Sequence, residues 1–346
     1  MTGRVLHPAH GPHRPVETTP LRLPGSVRRT STIDALRPDG LTGPLHLIGH
    51  SRDLVTGTDS LSTVVGIAAL EVDIDFFNRR TVTALRSNPT DSRLQQLVEA
   101  SAASGFRARA AEAVPDQLEN GSLLYLLLDD VPVSALVSGH AVVSGGVQSA
   151  SGRTGYTPTA DLCSGWRTGG TIMLEIQKSG SAPNVTGPET PDIVNPDDPL
   201  GWHELATLPP HAMRRARRLD VVMDGSDIVL DSHFRDSHVD ADGQEQTIHE
   251  YNVSVWVDPE SLRVLEVAAT AHVLPWVECP HATQSAEMLV GRSVSELRTF
   301  VRANMTGIDT CTHLNDQYRS LTDLTALIGL MPSGSSSDRL SSAMSQ

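Results

Sequence analysis

The chain reads as an α+β protein made of a tandem repeat of two units, each an antiparallel β-meander covered by helices, packed as an internal pseudo-dimer. Three observations predict this. The same markers occur twice in one order: Arg28-Arg29, Asp39-Gly40 and His50-Ser51-Arg52-Asp53, then Arg217-Arg218, Asp224-Gly225 and His233-Phe234-Arg235-Asp236. Each set leads into runs rich in Val, Ile and Thr that alternate in polarity, as half-buried strands do. Each ends in segments whose apolar residues recur every three or four positions, as on a helix face. A length of 346 residues also exceeds one ordinary core.

Residues 1–27 mix Pro, His, Arg and Thr without periodicity, which predicts a disordered tail. The first repeat unit, 28–143, has β-like runs at Thr63 to Asp75 and Thr81 to Leu85, then a helix from about Ser92 to Ala113. Residues 144–216 hold Gly pairs and a Pro- and Asp-rich stretch from Pro183 to Pro199, and read as a linker. Within it Thr171-Ile172-Met173-Leu174-Glu175-Ile176 predicts one strand, fed by a turn that contains Cys163 and Trp166.

The second unit, 217–330, predicts four strands: Leu219 to Met223, Ile228 to Val239, Thr247 to Val257 and Leu262 to His272. Pro259 ends the third, because proline presets a turn and cannot continue a ladder. In the third strand Val253, Val255 and Val257 share one face and Asn252, Ser254 and Trp256 the other, so one face is buried. Met288, Leu289, Val294, Leu297, Phe300 and Val301 predict helix over 285–301, with Gly291 able to divide it. Leu314, Tyr318, Leu321, Leu324 and Ile328 predict a last helix, and Ser-rich 331–346 a second disordered tail.

Lys+Arg number 27 and Asp+Glu 41, a net charge of −14 that repels nucleic acid and anionic lipid. No stretch reads as the roughly 20 apolar residues that cross a bilayer, and the N-terminus lacks a signal-peptide core. The expectation is a cytoplasmic protein with no nucleic-acid or membrane partner. Three cysteines, Cys163, Cys279 and Cys311, then read as reduced thiols.

The chemistry concentrates in the second unit. His249, Cys279, Cys311 and His313 have no counterparts of their type in the first, where Val65, Tyr125 and Leu127 align with His249, Cys311 and His313. A packing need would be met alike in both units. Cys311-Thr312-His313 places two ligand types two residues apart, on one side of an extended segment. With Cys279 and His249 they make the inventory of a tetrahedral zinc or other divalent metal site. Alternatively Cys311 or Cys279 is a thiolate nucleophile with His313 or His249 as base. In a third alternative both cysteines are small core residues and His313 caps a helix.

Arg52-Asp53 and Arg235-Asp236, being common to both units, read as structural ion pairs tying strand to strand. His249 and its neighbour Glu250 point to opposite sheet faces, so Glu250 reads as structural. Asp309 is a candidate to orient an imidazole. Trp166 and Trp202 are candidate pocket lining, and no phosphate loop is present.

Arg217-Arg218, Asp224-Gly225, Arg235-Asp236, His249-Glu250-Tyr251, Pro275-Trp276-Val277-Glu278-Cys279 and Cys311-Thr312-His313-Leu314 together resemble the bacterial family called domain of unknown function 2889. The resemblance covers about a third of the chain, with the first half as a degenerate copy that lacks the Cys and His positions except His50. It implies that the Cys/His set belongs together and carries no reaction or cofactor. The expected function is a lyase or hydrolase of small-molecule metabolism acting on an aromatic or apolar acid. The alternative is a non-catalytic ligand-binding or assembly protein with a structural Cys/His cluster.

Overall fold

The computed structural model describes residues 6–147, 160–180 and 182–332. Its centre is one antiparallel sheet of eight strands in the order β4-β3-β2-β1-β5-β6-β7-β8. The strands are β1 (Ser26–Leu36), β2 (Leu45–Thr56), β3 (Ser62–Asp75), β4 (Thr81–Asn88), β5 (Met213–Asp224), β6 (Asp227–Val239), β7 (Glu245–Val257) and β8 (Val264–Val273). Each half is a four-stranded meander, and the two share the sheet through the antiparallel pairing of β1 with β5.

β1 and β5 are rich in arginine yet buried, because each guanidinium meets a carboxylate, on a neighbouring strand for Arg28, Arg29, Arg214, Arg215 and Arg218 and on a covering helix for Arg217. Arg28 Nε and Nη2 donate to Asp220 at 2.6 and 2.9 Å, and Arg214 does the same to Asp34 at 2.7 and 2.7 Å. One residue along, Arg29 grips Asp53 on β2 at 2.8 and 2.8 Å, and Arg215 grips Asp236 on β6 at 2.8 and 2.9 Å. Such forked pairs fix strand register as well as charge. The expected strand-to-strand role of Asp53 and Asp236 is thus met with Arg29 and Arg215, not with their neighbours Arg52 and Arg235. The β2–β3 ladder slips by one residue after Asp53, and the β6–β7 ladder after Asp236.

Helices cover one face: α1 (Phe106–Ala113), α2 (Pro115–Glu119), α3 (Leu123–Val137), α4 (Gly139–Ser144), α5 (Thr171–Ser179), α6 (Leu297–Asn304), α7 (Thr312–Ser320) and α8 (Leu324–Ile328). Two apolar clusters lie beneath them, one around Leu47, Leu70 and Leu127, the other around Val253, Leu289 and Leu314. Leu123–Ser144 is by composition apolar enough to cross a membrane. It instead packs into this core, where α3 directs Asp130 to Arg217 at 2.9 Å and Asp129 to Arg319 at 3.2 Å.

The other face is covered by irregular chain, and here the structure corrects the expected tail. Residues 6–25 lie along the sheet: His13 bridges to Val273, Val16 N donates to Glu250, and Arg235 Nη2 donates to Val16 O at 2.6 Å. Polar anchors hold this Pro-rich segment, so no apolar periodicity signals it. The expected linker is anchored likewise, through Arg22–Asp198 and through Trp202 Nε1 donating to Thr19 Oγ1.

Three local expectations also change. Thr171–Ile176 is helix, because Glu278 accepts from Thr171 N at 2.7 Å and left-handed Gly180 ends the turn. The helix expected over 92–113 divides into a 3-10 turn, Ser92–Leu97, and α1, with left-handed Gly105 between them. Residues 285–301 divide at left-handed Gly291 into a 3-10 segment, Cys279–Leu289, and α6. Residues 333–346 of the second expected tail lie outside the described residues.

Candidate functional site

The site forms where β6, β7 and the start of α7 meet on the helix-covered face. Asp236 and His249 are opposite each other in the β6–β7 ladder, on the last rung before it slips. His313 enters from the first turn of α7, whose N-cap is Cys311. The two imidazoles stack with centroids 4.0 Å apart, and the Phe234 ring is parallel to that of His313 at 6.3 Å.

His249 Nδ1 is 3.6 Å and His313 Nε2 is 4.0 Å from the same atom, Asp236 Oδ2. Both nitrogens are buried without a hydrogen-bond partner among the described residues. Buried polar atoms normally find partners, so two orphans facing one carboxylate oxygen mark a place built for something other than packing. Among the described residues, Asp236, His249 and His313 form the group whose donor atoms converge closely enough to share an ion, all within 4.8 Å.

The electrostatics suit a cation. Burial works to raise the Asp236 pKa, but Arg215 and the two imidazoles outweigh it and hold the carboxyl below the usual range. Burial, reinforced by His249, pushes His313 down to about 3, so its ring is neutral at pH 7 with a lone pair free. Arg215 reaches on to Asp316 at 3.1 Å and fixes the carboxylate from behind.

The four residues expected as ligands do not meet at one point. His249 and His313 come together, with Asp236 as their third member. Cys311 Sγ touches the other nitrogen of His313, Nδ1, at 3.8 Å. Cys311-Thr312-His313 is not extended as expected; the helix begins at Thr312, so Cys311 and His313 do not share one direction. Cys279 opens the 3-10 segment and packs against Gly165 beside Cys163.

Burial raises Cys279 well above the ordinary thiol pKa and Cys311 to about 11, so both are protonated at neutral pH. That removes the activation a thiolate nucleophile needs. Asp309 pairs with the exposed His281 at 3.0 Å instead of orienting a site imidazole. Glu250 accepts from His233 and Arg235 on the opposite sheet face, as a structural group.

Asp236 is the functional candidate that sequence reasoning assigned only to structure. Its repetition as Asp53 pointed to a common ion pair, which is true of both. The separating signal is the rung partner: His249 faces Asp236, while Gly66 faces Asp53.

Residues 213–326 match the model of a family described as Protein of unknown function (DUF2889). That span contains Asp236, His249, Cys279, Cys311 and His313. No curated protein and no solved structure was found to match the chain.

Proposed function

We propose that the second half of the chain holds a divalent transition metal on Asp236, His249 and His313 and uses it as a Lewis acid on a small organic acid, in a hydrolytic or lyase reaction. The observation that carries this reading is the pair of unpartnered imidazole nitrogens facing one carboxylate oxygen. Two imidazoles and a carboxylate are a ligand set suited to zinc or iron, and three protein ligands leave positions open for water or substrate. Cys311 then has a supporting part. A ligating histidine donates through its second nitrogen to a neighbour that fixes its orientation, and the Cys311 sulfur stands at that nitrogen.

Elemental analysis of protein purified with zinc, iron, manganese and cobalt supplied tests the reading. It expects close to one ion per chain in the wild type and none in a His249→Ala, His313→Ala double variant. Equal metal content in the two, or none in either, refutes it.

We also read the two meanders as copies of one unit, of which only the second kept the imidazoles. The support is a constant offset: the ladder slips after Asp53 and Asp236, and again after Asp73 and Trp256, each 183 positions apart. The forked pairs Arg29–Asp53 and Arg215–Asp236 recur as well, although the first spans 24 positions and the second 21, so the offset of 183 holds from Asp53 onward. On this offset Gly66, not Val65, takes the place of His249, while the forked pairs match Arg28-Arg29 to Arg214-Arg215 instead of Arg217-Arg218.

A further inference from the structure

Two rungs on the sheet face opposite the helices differ by one carboxylate. On β6, Arg235 stands across from Glu250 on β7. Glu250 accepts from Arg235 Nε at 2.8 Å, His233 Nε2 at 2.7 Å and Val16 N at 2.9 Å. On β2, Arg52 precedes its ladder slip by the same two positions and is likewise preceded by a histidine, His50. Its rung partner on β3 is Ile67.

Arg52 is therefore a buried cation without the anion its counterpart has. It is 7% exposed, and Nη2 donates to Leu200 O at 2.6 Å. Its Nε is buried with no partner, and no carboxylate of the described residues forms an ion pair with it. The nearby carboxylates are engaged elsewhere, Asp198 by Arg22 and Asp220 by Arg28 and Arg218. Burial, followed by the like charges of Arg22 and Arg28, works against its protonation and outweighs the opposing influence of Asp198. An unpaired buried guanidinium is costly unless an anion reaches it. His50 is exposed beside it, with the His203 ring 6.4 Å away as its described contact.

The border of this place is apolar and open. Ile67 is 66% exposed, Leu200 51% and Val65 46%. Val65 is the unpaired residue at the slip of the β2–β3 ladder, two positions from Ile67.

We propose that Arg52 and His50 bind the carboxylate of a small organic acid, in the role Glu250 fills in the other half, with its apolar body against Ile67, Val65 and Leu200. One uncompensated cation matches a monoanion, and the apolar border favours an organic acid over an inorganic oxyanion. The place is in the other half and on the other sheet face from Asp236, so it stands or falls independently of the metal.

The test is calorimetric titration of the full chain with benzoate, with benzamide and sulfate as controls. Benzoate binds the wild type, and benzamide and sulfate each bind at least tenfold more weakly. Arg52→Gln weakens benzoate at least about tenfold, the scale of one charge-assisted hydrogen bond. Ile67→Glu supplies the missing carboxylate from within, so it abolishes benzoate binding and raises the melting temperature. Absence of benzoate binding to the wild type overturns the proposal. So does unchanged binding in either folded variant, or sulfate binding as tightly as benzoate.

Discussion

Zinc added to the metal-free protein should raise its melting temperature, and replacing either imidazole should remove that gain. The distances support the size of the effect. Zinc bonds of about 2.1 Å at tetrahedral angles separate two ligand atoms by roughly 3.4 Å. The nitrogen-to-oxygen separations are 3.6 and 4.0 Å and all three ligand atoms lie within 4.8 Å of one another, so the site closes by drawing these atoms together without moving the backbone elements apart or re-pairing the strands. An ion present at about 100 times its dissociation constant stabilises the fold by about 2.7 kcal/mol. For a chain of this size that is roughly 4 °C. His249→Gln and His313→Gln should each weaken binding by more than the 10- to 100-fold typical of losing an outer partner. Without metal the same variants should melt near the wild type, because each removes an unpartnered nitrogen. Differential scanning calorimetry with and without zinc, cobalt or manganese reads both quantities. Equal stabilisation of wild type and variants by every ion would refute the reasoning, as would an unchanged wild type.

Three further outcomes follow from the geometry. Arg215→Met leaves Asp236 buried and uncompensated and should cost about 3–5 kcal/mol in urea unfolding; a loss under about 1 kcal/mol would contradict the role given to that pair. Cys311, with its pKa near 11, should react with iodoacetamide at pH 7.5 at least 100-fold more slowly in the native than in the unfolded protein. Rapid native labelling would restore the thiolate alternative. His203, hydrogen-bonded to Thr30 and Thr32, is held at about 3 by burial and then by Arg52, His50 and Arg214. Its folded pKa lies below the unfolded value of about 6.5. It therefore contributes stability above pH 6.5 that is lost as pH falls toward 3, where the unfolded chain takes up a proton the folded chain refuses. His203→Gln should flatten that loss in unfolding measured from pH 7 to 4, and an unchanged slope would count against it.

The strands were legible because alternation is local: Val253, Val255 and Val257 announce their shared face in six residues. The separation of His249 from Glu250 onto opposite faces follows from the same period of two. Other features depend on partners distant in the chain. Thr171–Ser179 carries β-branched and apolar residues, but Glu278 and Gly180 make it a helix. The N-terminal segment has no apolar pattern, since Arg235 and Glu250 hold it by polar contacts.

At the site, His249 and His313 stood out by their absence from the first half. Asp236 did not, because its ion pair is common to both halves and only its rung partner differs. Cys279 and Cys311 were grouped with the imidazoles by composition. Where α7 begins decides that Cys311 touches the far nitrogen of His313 instead of sharing its direction.

Crystals soaked in zinc and measured at the zinc absorption edge address the metal reading most directly. One anomalous peak within bonding distance of Asp236 Oδ2, His249 Nδ1 and His313 Nε2 is the result the account predicts. A peak on Cys163, Cys279 and Cys311, or none at the two histidines, would contradict it.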